Sequence, residues 1–298
     1  MIVAALDLGS NTTRLLVGDV EDGRIEELHR ETRITRLGEG VDTRGRLLPL
    51  PIARVRNALT DYRRTAESLG AERTLLVATS AVRDAENGEA FLGEIEWSYG
   101  FATRLLSGDE EADLTQRGVG ELGAGTLLVD IGGGSTELVL GAFNTSLRMG
   151  SGRFTERYGE DPAALQAAAR VLLPELEPED AVGVAATITS LAALDLGLEE
   201  YDRSRVHGHV LSRDGARAQL ERLAALPLDE RRRVPALEPD RAPVIVAGAA
   251  ILVAILDAYD LDAIRVSERD LLDGAALAAA ELPEPEEGAA PPGAYTCC

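Results

Sequence analysis

At 298 residues the chain is long for one hydrophobic core and comfortable for two, because single cores stop growing at about 250 to 300 residues. A net charge of −21 with only 4% aromatic residues excludes the basic, stacking-rich surface of a nucleic-acid binder. All 30 basic residues are arginine. Mechanisms built on a P-loop, Schiff-base or kinase-type lysine are therefore excluded, and phosphate contacts must come from Arg forks, backbone N–H groups, hydroxyls or a metal.

The N-terminal segment MIVAALDLG lacks a basic start and reaches Asp7 too early for an export signal, which makes the cytoplasm the expected compartment. Ile2 to Leu6 is an apolar run, Gly9-Ser10-Asn11 a turn and Leu15 to Val20 a returning strand, together a β-hairpin. Apolar residues at helical spacing follow from Ile52 to Leu69, then a buried strand at Thr74 to Val77 and a helix near Glu89 to Glu96. A further helix begins at Ser107, where Ser107-Gly108-Asp109-Glu110 fits a capping box. The segment Gly118 to Gly123 matches G-x-G-x-x-G. It follows a helix and precedes a strand, so it reads as an inter-domain hinge rather than a dinucleotide fingerprint.

Leu127 to Gly141 repeats the opening hairpin. Laid over it without gaps, Asp7 falls on Asp130, Gly9 on Gly132, Thr13 on Thr136 and Leu15 on Leu138. The second half then predicts a helix at Pro162 to Leu173, a strand at Ala181 to Ala185, helices at Ile188 to Leu196 and Arg213 to Ala225, and a long helix from Pro243. The apolar run Val244 to Leu256 is shorter than the ~20 residues of a membrane span and reads as a buried helix. Strands alternating with helices predict an α/β layer architecture in each half, with domains at residues 1–123 and 124–282. Residues 283–298, rich in Pro, Glu, Gly and Ala, read as a disordered tail. It ends in Cys297 and Cys298, an adjacent pair ill suited to a structural disulfide.

The chemistry centres on two glycine-rich turns, each following a strand that ends in Asp: Asp7-Leu8-Gly9-Ser10-Asn11-Thr12 and Asp130-Ile131-Gly132-Gly133-Gly134-Ser135-Thr136. Backbone N–H groups of such turns converge on phosphate and the hydroxyls add donors. The Asp carboxylates would repel bare phosphate but can hold Mg²⁺ that bridges to it. A plain hairpin turn with a capping Asp is the competing account of either turn alone. His207 and His209 form an H-x-H pair with no third ligand in view, and read as structural loop histidines.

The segments AALDLGSNTTRLLV, ATSAVRDA, LSGDEEADL and LLVDIGGGSTELV, in this order and spacing, resemble the exopolyphosphatase and guanosine pentaphosphate phosphatase family. Weaker likeness runs through SLRMGSGRFTERY, RVHGHVLSR and Val244 to Gly274. The resemblance implies the short form of that family: two actin-like, ribonuclease H-like α/β domains of the superfamily of sugar kinases, chaperone ATPases and actin, enclosing an interdomain cleft. It places the catalytic base on Glu111, and phosphate contacts on both turns (Gly9, Ser10, Asn11, Thr12; Gly132, Gly133, Gly134, Ser135, Thr136), Arg83 and Arg153. Asp7, Asp130 and Glu137 are its acidic positions for Mg²⁺ or another divalent cation. Two departures stand out: Ala186 occupies a position before Thr187 where the family commonly has Gly, and Gly152 one where a bulkier apolar residue is common.

The implied reaction is hydrolysis of the terminal phosphate of inorganic polyphosphate, with guanosine pentaphosphate as the rival substrate. A phosphotransferase on the same fold and a non-catalytic polyphosphate or alarmone sensor are the other readings. Neither nucleic acid nor membrane is an expected partner, and a homodimer is the assembly considered.

Overall fold

The computed structural model describes residues 1–283. Apart from Pro283, the expected tail with its two terminal cysteines lies outside the described residues. The chain divides into two compact units, Met1–Gly118 together with Leu271 onward, and Val119–Asp270.

The first unit opens with a three-stranded meander, β1 (Ile2–Leu8), β2 (Thr12–Glu21) and β3 (Arg24–Ile34). It continues through α1 (Val41–Arg44), α2 (Pro49–Ser68), β4 (Arg73–Ala78), α3 (Ser80–Arg83), α4 (Gly88–Tyr99), β5 (Ala102–Leu105) and α5 (Gly108–Val119). The sheet order is β3-β2-β1-β4-β5, with β1, β4 and β5 parallel and the meander antiparallel. Strand β1 is buried on both faces and its side chains alternate between two cores. Ala4, Leu6 and Leu8 join Val55, Leu59, Tyr62, Phe91 and Ile95 on one side, while Val3 and Ala5 join Leu75, Val77 and Leu114 on the other.

The second unit comprises β6 (Thr126–Ile131), β7 (Thr136–Leu140), β8 (Phe143–Leu147), α6 (Ser151–Tyr158), α7 (Pro162–Leu172), β9 (Asp180–Val184), α8 (Ala185–Asp195), α9 (Arg203–Val206), β10 (Val210–Ser212), α10 (Arg213–Ala225), α11 (Leu228–Arg231), α12 (Ile245–Ala258) and β11 (Ala263–Val266). Its sheet order is β10-β11-β9-β6-β7-β8. Read from β8 to β11, this repeats the first sheet strand for strand, with β10 added as an antiparallel edge. The duplication in sequence is thus a duplication of fold, two α/β units of common topology. All residues of α12 from Ile245 to Leu256 are buried, as the apolar run predicts.

One difference from the sequence-based division concerns the end of the chain. The last helix of the described residues, α13 (Leu271–Ala280), packs on the first sheet, not the second. Leu271, Leu272, Ala275, Ala276 and Ala279 complete the core that contains Val3, Ala5 and Leu16. Asp273, 6% exposed, accepts a hydrogen bond from Arg30 of β3 at 2.9 Å. Linear reading groups elements by their order along the chain, whereas an apolar helix joins whichever sheet face lacks cover. Gly118 and Val119 close α5, Gly120 to Gly123 lie between it and β6, and the break between the units falls after Gly118.

The capping box at the start of α5 is formed in both directions. Ser107 N–H donates to Glu110 Oε2 at 2.8 Å and Glu110 N–H to Ser107 Oγ at 3.2 Å. The Ser107 backbone N–H holds the Glu110 carboxyl below its ordinary value, with the Ser107 hydroxyl and Arg104 adding to the effect. A carboxyl lowered on folding contributes stability that is present above its unfolded value and is lost as pH falls through the folded one. Ser107→Ala is expected to cost about 1 kcal/mol. The difference in melting temperature between the parent and Glu110→Gln should be widest near neutrality and close below about pH 4.

Candidate active site

In each unit the glycine-rich turn leaves the C-terminal end of the first strand, the edge where open α/β sheets bind ligands. The two turns close alike. Gly9 N–H donates to Thr12 O at 2.9 Å, and Gly132 N–H to Ser135 O at 3.0 Å. What differs is the residue opposite the Asp. The hairpin register sets Asp7 against Arg14 in the first unit and Asp130 against Glu137 in the second. Cross-strand partners share a face of the sheet.

In the first unit Arg14 grips Asp7 Oδ2 through Nε at 2.9 Å and Nη2 at 2.7 Å. Asp7 is 3% exposed, so the fork offsets the desolvation of its charge. Ser10 Oγ lies 2.8 Å from Ser80 Oγ, which ties the turn to α3. The same short helix carries Arg83, whose Nη1 donates to Glu111 Oε2 at 3.1 Å and to Leu106 O at 2.7 Å. The two glutamates that open α5 therefore differ in role. Glu110 is half-exposed and occupied with the helix cap, while Glu111 is 6% exposed and faces an arginine. Asn11 lies in the turn with Nδ2 buried and without an acceptor among the described residues. Thus Ser10, Arg83 and Glu111 are brought together through α3, and Ser80 joins them.

In the second unit Asp130 and Glu137 are 7% and 2% exposed, and Ser146 Oγ donates to Glu137 Oε1 at 2.7 Å. The turn is held from below by the start of α6. Ser151 N–H donates to Gly132 O, and Gly152 and Arg153 N–H both donate to Gly133 O, all within 2.9–3.0 Å. Thr136 Oγ1 donates to Met149 O at 2.5 Å. This close approach depends on Gly150, where a Cβ would stand 2.5 Å from Gly133 C and Gly134 N. Gly152 has an open-space requirement of the same kind but milder, its nearest atom being Gly133 O at 3.1 Å. Arg153 is 7% exposed and its Nε donates to Gly134 O at 2.7 Å, so its visible work is to fix the turn.

Beside this turn, β9 ends at Val184 opposite Asp130, and Ala185 opens α8 with φ 64. A Cβ-bearing residue in the left-handed region is strained, and such strain concentrates at functional sites. The sequence draws attention to Ala186, but the strained position is its neighbour.

Among the described residues no group of three His, Cys, Asp or Glu side chains could hold a metal ion. His209 Nε2 lies 2.9 Å from Asp195 Oδ2, and His207 Nδ1 accepts from Glu268 N–H at 3.1 Å, so both histidines have structural partners. No helix of the described residues is long and apolar enough to cross a membrane.

Sequence reasoning missed Arg14, Ser80 and Gly150. Arg14 could have been found by counting outward from the Gly9 turn to the partner of Asp7. Ser80 and Gly150 act across long sequence separations and leave no local signal.

Comparison with known proteins finds relatives over most of the chain. Exopolyphosphatase 2 of Mycobacterium tuberculosis is 40% identical, over 93% of this chain and 98% of that protein. The guanosine-5'-triphosphate,3'-diphosphate pyrophosphatase of Vibrio vulnificus is 30% identical, over 92% of this chain and 58% of that protein. The crystal structure of an exopolyphosphatase-like protein superposes with a TM-score of 0.85 at 31% identity, covering 92% and 97% of the two chains. The Aquifex aeolicus member of the Ppx/GppA family gives 0.77 at 29%, covering 94% and 98%. With the model of the Ppx/GppA phosphatase family matching residues 16–281, the chain belongs to that family.

Proposed function

We propose that the chain is an exopolyphosphatase, hydrolysing the terminal phosphoanhydride of inorganic polyphosphate. The observation that carries this is Glu111, a buried carboxylate distinct from its capping neighbour and set against Arg83 beside the first glycine-rich turn. In the reaction, water oxygen bonds to the terminal phosphorus as the bridging P–O bond breaks. Glu111 takes the proton of the attacking water, and orthophosphate and the shortened chain leave. Arg83, the N–H groups of Ser10 and Asn11 and the side-chain amide of Asn11 supply donors for phosphate oxygens. The second turn, Gly132 to Thr136, supplies a like set in the second unit. Arg153 acts there by holding the carbonyl of Gly134.

A divalent cation such as Mg²⁺ fits Asp130 and Glu137. Two carboxylates on one sheet face are what this ion takes from protein when water and phosphate oxygens fill the rest of its shell. Asp7 fits less well, because its cross-strand neighbour is Arg14 where that of Asp130 is a second carboxylate, Glu137. Bound with substrate, the ion would neutralise charge on the phosphate oxygens. Asp130→Asn is expected to weaken Mg²⁺ binding, measured by calorimetry, about 10–100-fold, and Asp7→Asn to leave it near the parent value. Equal losses in the two variants would count against this assignment.

Relatives of both substrate types exist, and the chain is 40% identical to the exopolyphosphatase against 30% to the guanosine-nucleotide enzyme, which favours polyphosphate. The deciding assay is phosphate release from polyphosphates of defined length and from guanosine pentaphosphate, compared as kcat/KM. Release from the nucleotide alone would replace polyphosphate as the substrate, and binding without turnover of either would make the chain a sensor.

A further inference from the structure

Five non-glycine residues among those described have positive φ: Asp22, Arg36, Ala185, Ala236 and Asp260. Short polar residues such as Asp tolerate that region, but a long side chain does so at a cost. Arg36, at φ 50, is the one charged side chain of the set that lacks this excuse. It also lies directly on the first glycine-rich turn. The N–H groups of Thr35 and Arg36 both donate to Asn11 O, at 3.0 and 2.9 Å, and Gly38 N–H donates to Ser10 O at 2.8 Å. The approach is tight, since a Cβ on Gly38 would stand 2.9 Å from Ser10 Cβ. Thr35 and Leu37 on either side are buried, whereas Arg36 is only partly so.

Three backbone hydrogen bonds thus clamp a strained arginine to a turn whose Asn11 Nδ2 lacks an acceptor among the described residues. Gly or Asn would occupy φ 50 at less strain. A fixed positive charge there can only be arginine in a chain without lysine, and a protein of net charge −21 needs local cations to admit a long polyanion. We propose that Arg36 reads substrate charge, its guanidinium binding the phosphate next to the one held by the Gly9–Thr12 turn. The inference rests on the polyphosphate reading given above.

Arg36→Asn and Arg36→Gly both suit a positive φ, and each is expected to stay folded, with a cooperative melt as the check. For a polyphosphate of defined length, each is expected to raise KM about tenfold, with the loss in KM rather than kcat and a weaker dependence of KM on salt. The same loss should appear as weaker polyphosphate binding in a Glu111→Gln background, measured by calorimetry. Arg36→Lys should recover part of it. Arg64→Asn, on the exposed side of α2, removes the same charge elsewhere and serves as the control. If the parent hydrolyses polyphosphate and both Arg36 variants keep KM within about twofold, Arg36 has no such role and the hydrolase reading stands. If the parent neither binds nor hydrolyses polyphosphate, the substrate reading and the role of Arg36 fall together.

Discussion

Glu111→Gln is expected to lower kcat for phosphate release by about 10²–10⁴-fold, the usual contribution of a positioned general base, while KM changes little. The amide keeps the shape of the carboxylate and still offers an oxygen to Arg83, which retains its second bond to Leu106 O. Loss of fold is therefore not the expected cause of the lost rate, and an unchanged melting temperature would establish that. Glu110→Gln is the matched comparison. It changes the adjacent carboxylate, whose partners are Ser107 and Arg104 at the start of α5, and should leave turnover near the parent value. Turnover in Glu111→Gln within about threefold of the parent would remove Glu111 from the chemistry.

Gly150→Ala carries the second large effect. The added methyl would meet the backbone of Gly133 and Gly134 at 2.5 Å, and backbone on both sides cannot yield as a flexible side chain does. Either α6 retreats, breaking the bonds from Ser151, Gly152 and Arg153 to the turn, or the turn itself moves. Overpacking of this kind costs about 1–3 kcal/mol of stability, which a denaturant titration reads directly. Displacing the turn by about 1 Å is enough to cost about 10²-fold in rate. Gly152→Ala meets a single carbonyl oxygen at 3.1 Å and should show a fraction of both effects. A fully active, fully stable Gly150→Ala would mean that the clamp on the second turn has no part in activity.

The elements most legible in the sequence were those with strong local periodicity. The helix predicted at Arg213 to Ala225 has those bounds in the structure, and the strand predicted at Thr74 to Val77 is the centre of β4. The internal overlay was informative because hairpin register is local: once Asp7 falls on Asp130, the strand pairing follows from the turn. The short edge strands β5, β8 and β10 went unread, since three to five residues carry too little pattern to separate from loop. Helix α6 was missed as well, its serine and glycine start resembling a turn. At the site, Glu111 and Glu110 are equivalent on paper, and only their partners distinguish a cap from a candidate base. The same holds for Arg153, which as a sequence position suggests phosphate but is engaged with the carbonyl of Gly134.

The placement of α13 bears on how the protein is made. A nascent chain that has emerged as far as Gly118 presents Val3, Ala5, Leu16, Leu75 and Val77 on a sheet face whose cover, α13, follows the whole second unit in the chain. The second unit holds its own core and can fold while the first still waits, so maturation does not run from the amino end to the carboxyl end. Early termination that removes Leu271 to Ala280 would spare the later-made unit and unseat the earlier one.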